Sequence, residues 1–100
     1  MYSIVGYLEF RPEDREQTIA ALQDVTTRSR QDDGCIDYWW SEDVLQPNRF
    51  RFFECWESKD AFDHHQTQPY EKEFMTVQVA KVVGADAQVL TITDRSSAMS

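Results

Sequence analysis

Four stretches of period-two apolar alternation, separated by two stretches of helical spacing, constrain this chain more than any other feature. Tyr2 to Phe10 sets Tyr2, Ile4, Gly6, Leu8 and Phe10 against Ser3, Val5, Tyr7 and Glu9. Both sets hold apolar members, so the pattern predicts a strand covered on two sides. Gly6 marks a bend or a place where something comes close to the backbone. "CIDYWWSEDV", from Cys35, predicts a second strand with Ile36, Tyr38 and Trp40 on one face and Cys35, Asp37 and Trp39 on the other. "LQPNR" supplies turn residues in Pro47 and Asn48, so "FRFFECWE" follows as the second arm of a hairpin. Its faces are Phe50, Phe52, Glu54, Trp56 and Arg51, Phe53, Cys55, Glu57. "AQVLTIT", Ala87 to Thr93, predicts the last strand.

Between the first and second strands, Pro12 suits a first helical position and Glu13, Asp14 and Glu16 suit the positive end of the helix dipole. Ile19, Leu22, Val25 and Thr26 repeat at helical spacing, and Gly34 ends the unit. After the hairpin, Ser58 predicts the cap of a short helix carrying Ala61, Phe62 and His65. Pro69 restarts a helix whose inner side is predicted as Tyr70, Phe74 and Val77, closed by Gly84. The order β-α-β-β-α-β is the ferredoxin-like arrangement of the α+β class, a four-stranded antiparallel sheet with helices on one face. Residues 1–94 form one domain on this reading and 95–100 a polar tail. The uncovered sheet face would carry Val5, Tyr7, Arg51, Phe53 and Cys55. That set is too apolar to suit water, so two sheets are expected to pack face to face in a homodimer.

Charge narrows the partners. The chain has 100 residues and a formal net charge of -8, which argues against nucleic acid and against anionic membrane surfaces. No apolar run approaches the ~20 residues of a membrane helix. "MYSIVGYLEF" carries no basic leader, so a cytoplasmic location is expected. Cys35 and Cys55 show no metal-ligand spacing. Reduced thiols are expected, with a bridge between neighbouring strands as the alternative. His64 and His65 are adjacent, and adjacent helical side chains point ~100° apart, so they do not chelate as a pair. No metal site is expected.

"DGCIDYWW" followed by "FFECWESKDAFDHHQTQPY" resembles the antibiotic biosynthesis monooxygenase domain, a family of small dimeric α+β barrels. The similarity rests on Gly34-Cys35 with Tyr38 beyond, then Glu54-x-Trp56-x-Ser58, Ala61, His65 and Pro69 in order. Relatives include cofactor-free oxygenases of anthrones and quinols, haem-degrading enzymes and an isomerase-like member, so the fold leaves the chemistry open. The haem-degrading branch resembles this chain at Trp56 but has an asparagine on the first strand and a histidine iron ligand on the last helix. Gly6 and Met75 stand at those places here, which leaves no axial nitrogen and disfavours haem.

The resemblance implies catalysis with no cofactor, in which a deprotonated phenol, quinol or anthrone supplies the electrons for O₂. Such a site needs an apolar hollow, a proton handler and few polar groups. His65 is the expected proton handler, Glu54 a second base and Trp56 part of the catalytic wall. Tyr38, Phe52, Tyr70, Phe74 and Gly6 are the expected substrate-binding residues. Each has a plainer role open to it. Trp56 can be a packing residue, His65 can bridge helix ends, Glu54 can pair with Arg49 or Arg51, and Tyr38 can hydrogen-bond backbone. A non-catalytic ligand-binding or structural dimer, or an isomerase of the same fold using His65 and Glu54, are the competing functions.

Overall fold

The computed structural model describes residues 1–99. Strand β1 is Tyr2–Glu9. A single 3-10 turn at Pro12–Asp14 leads into helix α1, Arg15–Ser29. The hairpin follows as β2, Cys35–Glu42, and β3, Arg49–Trp56. Helix α2 is Lys59–Gln66, and α3 is Pro69–Glu73, which widens into a π turn at Phe74–Gln78 and a 3-10 turn at Val79–Lys81. Strand β4 is Gly84–Thr91. The sheet order is β2-β3-β1-β4, with every neighbouring pair antiparallel. This is the expected ferredoxin-like α+β fold.

Local chemistry explains the element ends. Ser58 sits in extended backbone and its hydroxyl accepts the Ala61 N–H at 3.1 Å, which fixes where α2 starts. Asn48 takes the left-handed conformation, φ 65°, that the hairpin turn needs, and its N–H donates to Glu42 Oε2 at 2.8 Å. Arg15 donates to the same Glu42 carboxylate with both terminal guanidinium nitrogens, 2.5 and 2.7 Å, tying the start of α1 to the hairpin. The core lies between sheet and helices: Phe10, Leu22, Val25, Tyr38, Phe50, Trp56 and Phe74.

Three details depart from the sequence reading. The last strand starts at Gly84, which pairs with Glu9, and ends at Thr91. Pairing with β1 rather than local apolarity sets its length, so Gly84 opens a strand instead of closing a helix. The second strand carries an irregularity between Cys35 and Asp37: Cys35 pairs with Trp56 and Asp37 with Cys55. This bulge places Cys35 on the helix side, while Tyr38 and Trp40 keep their expected face. Cys55 faces the other way, so the two thiols lie on opposite sides of the sheet and are free. In the last helical segment Gln78, not Val77, turns inward and donates to Thr18 Oγ1 at 3.3 Å. The wider π turn moves the inward position one residue on.

Candidate functional site

Six strand residues set the floor of a hollow under the helices. Alternation puts Ile4 and Leu8 of β1, Tyr38 and Trp40 of β2, and Phe52 and Glu54 of β3 on the helix-facing side. Phe62 and Gln66 of α2, Glu71 of α3, Phe74 and Met75 of the π turn, and Val79 and Ala87 complete the wall of a cavity of about 230 Å³. A dry cavity of ~150 Å³ is enough for one benzene ring. Among the described residues, the only charged groups on this wall are Glu54 and Glu71.

Glu54 is 8% exposed. Its Oε1 accepts the Trp56 indole N–H at 2.8 Å, since residues i and i+2 of one strand share a face. It pairs with neither Arg49 nor Arg51, which bind Glu9 and Asp43 on the other side of the sheet. Burial pushes the Glu54 carboxyl up to about 7, against the opposing pull of the Trp56 hydrogen bond and the charge of His65. A carboxyl with that midpoint gives and takes protons near neutrality.

His65 is fully buried. The cap at Ser58 sets the rotation of α2 so that His65 turns inward and its neighbour His64 is exposed. The imidazole stacks on the Trp56 indole, centroids 4.5 Å apart and planes at 29°. Nδ1 lies 2.8 Å from Asp32 Oδ2 and 3.1 Å from the Tyr70 hydroxyl. The Tyr70 hydroxyl also donates to Asp32. Nε2 lies 2.6 Å from Glu71 Oε2, in a charge contact too bent to be a good hydrogen bond. Burial disfavours the imidazolium, but Glu71 and Asp32 outweigh it, with help from Glu54, and the His65 pKa is raised.

The residues expected at the site therefore take three positions. Tyr38, Phe52, Phe74 and Glu54 line the hollow. Trp56, His65 and Tyr70 stand behind that wall, where Trp56 holds Glu54 and His65 holds Glu71. Gly6 serves neither purpose. A Cβ there would lie 2.0 Å from Asp86 O and 2.7 Å from Ala87 Cα, so β4 backbone already fills the space its missing side chain leaves. Tyr38 hydrogen-bonds a side chain rather than backbone: its hydroxyl accepts the Trp40 indole N–H at 3.1 Å. Burial and the nearby carboxylates raise its pKa.

Sequence reasoning missed Asp32, Gln66 and Glu71. Glu71 had a readable signal, because it sits three residues before Phe74 on a helix and so shares its face. Asp32 had none, since it sits in a turn and meets His65 only through the fold. A larger groove of about 370 Å³ opens between α1 and the hairpin, lined by Ile19, Leu22, Trp40 and Phe50 among others. Its only ionisable group, Glu42, is held down to about 2 by Arg15 and the Asn48 N–H. It offers no proton chemistry near neutrality, so the smaller hollow is the candidate site.

Known proteins carry the same fold. A candidate antibiotic biosynthesis monooxygenase from Deinococcus radiodurans superposes with a TM-score of 0.88 at 24% identity, covering 100% of both chains. Rv0793 from Mycobacterium tuberculosis gives 0.86 at 24% identity, covering 96% of this chain and 98% of that one. An uncharacterized Synechocystis protein, sll1783, is 38% identical over 72 residues, which are 72% of this chain and 49% of the relative. The chain thus spans about half the length of that relative. YcnE of Bacillus subtilis, named as a candidate monooxygenase, is 27% identical over 75% of this chain and 79% of its own length. The family profile described as antibiotic biosynthesis monooxygenase matches residues 1–77. That span holds every residue lining the hollow except Val79 and Ala87, and the chain belongs to the antibiotic biosynthesis monooxygenase family.

Proposed function

We propose that the chain is a cofactor-independent monooxygenase of a small hydroxylated aromatic, of quinol, phenol or anthrone type, working as a homodimer. The observation that carries this is Glu54: a carboxyl with its midpoint near 7 on the wall of an otherwise apolar hollow large enough for a ring. Its carboxylate takes the proton of the ring hydroxyl or of the acidic ring carbon. The resulting anion is electron-rich and transfers electrons to O₂. For an anthrone-type CH₂, one oxygen atom becomes the new C=O, and the other leaves as water with the two hydrogens. The substrate supplies all four electrons, so no external reductant is needed. Trp56 positions Glu54 through its N–H, and the apolar wall keeps bulk water from the anion. His65 does not touch the hollow and acts through Glu71, which revises its expected part as the direct proton handler.

Family membership and the name given to the Bacillus relative support the oxygenase reading. The test is O₂ uptake in metal-free buffer with a panel of quinols and anthrones. Glu54→Gln is expected to lower kcat by ~100-fold or more, the usual contribution of a positioned general base. Absence of both turnover and binding across the panel defeats the proposal. A carboxyl of this kind would also serve an isomerase of the same fold, and turnover that persists without oxygen selects that reading. Binding without turnover in either atmosphere selects a ligand-binding dimer.

A further inference from the structure

We propose that Glu71 is a binding residue of the hollow which selects uncharged, hydroxyl-bearing ligands and rejects anions. This rests on the reading of the hollow as the substrate site and adds a residue and a charge rule to it.

Glu71 is 3% exposed, yet it lines the cavity. Its Oε2 is occupied on the protein side, 2.6 Å from His65 Nε2 and 3.1 Å from the Gln66 amide nitrogen. The imidazole is itself fixed from behind by Asp32 and Tyr70 and from its face by Trp56. Glu71 is therefore held in one place by a buried imidazole and an amide, with Oε1 left over. Trp56 likewise occupies Oε1 of Glu54 and leaves Oε2. Among the described residues neither leftover oxygen has a hydrogen-bond partner, and neither is sealed off in the protein interior.

Once a bound ring displaces water from the hollow, a carboxylate oxygen facing it without a donor is costly. A ligand hydroxyl supplies that donor. A ligand carboxylate supplies none and adds like charge in a site of low dielectric. Among the described residues, no arginine or lysine lines the hollow to offset it. The charged or titratable groups around His65 are Asp32 from the α1–β2 turn, Glu71 and Tyr70 from α3, Tyr38 from β2 and Glu54 from β3. Three of these are carboxyls gathered around the His65 imidazole, whose pKa is raised.

The roles of the two carboxyls then separate. Burial raises the Glu54 pKa to about 7, and Glu71 is the acceptor anchored by His65 and Gln66. The experiment compares binding of 4-hydroxybenzyl alcohol and 4-hydroxybenzoate, matched in ring and size, to the full chain under nitrogen. Tryptophan fluorescence is the readout, at pH 6, where Glu54 is below its midpoint of about 7. The wild type is expected to favour the alcohol by ~100-fold. Glu71→Gln narrows that ratio by ~10-fold, mainly by improving binding of the benzoate. Equal wild-type affinities, binding of neither probe, or an unchanged ratio in Glu71→Gln overturns the proposal. If Glu71→Gln does not fold, the wild-type pair still decides. O₂ uptake with hydroquinone is measured separately. Selective binding without uptake sinks the oxygenase reading alone, and uptake with no charge preference sinks this one alone.

Discussion

Glu54 is the residue whose protonation the fold itself sets. An ionised carboxyl loses hydration in the core, so the fold favours its protonated form, and its pKa rises from 4.5 to about 7. A raised carboxyl pKa favours folding at low pH. Below 4.5 the group is protonated in both states and its full contribution is present. As pH climbs towards 7 the unfolded chain ionises first, and stability falls by an amount on the order of 3 kcal/mol. His65 acts in a later window: its raised pKa stabilises the fold below 6.5, and that contribution is lost as pH rises through the folded value. Glu42 has the opposite sign at lower pH, because its carboxyl is held down to about 2 and stabilises above 4.5. Glu54→Gln should therefore flatten the fall between pH 4.5 and 7 and leave the later fall in place. Urea unfolding at half-unit pH steps measures this, and a variant curve parallel to wild type throughout the lower window contradicts it. The sequence placed Glu54 and Trp56 on one face of one strand, and that much was legible from period two. It left open whether Glu54 paired with arginine, because strand order and the sides taken by Arg49 and Arg51 are properties of the sheet.

At the scale of elements, the signals that held were those fixed by local chemistry. Ser58 and Pro69 start helices where their side chains dictate. The signals that failed depended on partners distant in sequence. The bulge at Cys35/Asp37 is invisible in "CIDYWW" because either register leaves aromatics on both faces. Gly6 was readable as a place of close approach, but what approaches is β4 rather than a ligand. Gly6→Ala should therefore act on the sheet: the new methyl would meet the Asp86 carbonyl, and β4 must move away from β1. The expected cost is about 1–3 kcal/mol, typical of overpacking, with faster amide exchange along Gly84–Thr91 as its local sign. Wild-type exchange in β4 together with altered ligand affinity would return Gly6 to the site. Ser58→Ala removes the hydroxyl that accepts the Ala61 N–H and should cost ~1 kcal/mol in thermal or chemical unfolding. Because α2 carries His65, the variant is also expected to loosen the stacked imidazole, seen as broader His65 ring resonances.

At the scale of the molecule, one sheet face remains to be explained. Across the strands, Val5 pairs with Phe53 and Phe53 with Trp39, an apolar row on the side away from the helices. The Trp39 and Phe53 rings pack tilted at 33° with centroids 6.0 Å apart, and Trp39 is 38% exposed. The next row is polar, with Tyr7 beneath Arg49 at 4.1 Å and Arg51 at 5.6 Å. On the other side lies the row Ser3, Cys55 and Asp37, where Ser3 and Cys55 are fully buried although no helix covers them. Arg95, beyond the end of β4, lies 3.7 Å from Asp37 at the far edge of the sheet, so the chain crosses the face there. The face is thus covered at one end and charged at the other, with an apolar row between them. In the proposed homodimer an isologous contact would place that row on its own copy, with the cation–aromatic cluster at the rim. A chain of this length gains from such burial, because small domains cover little of their own surface. Trp39 stands on the edge strand and half in water, so Trp39→Glu removes the contact without cutting into the protomer core. Light scattering after size exclusion should give a wild-type dimer and a Trp39→Glu monomer with unchanged circular dichroism. A wild type that stays monomeric at every concentration ends the dimer reading, and the hollow, walled by one chain's residues, would then have to bind its ligand unaided.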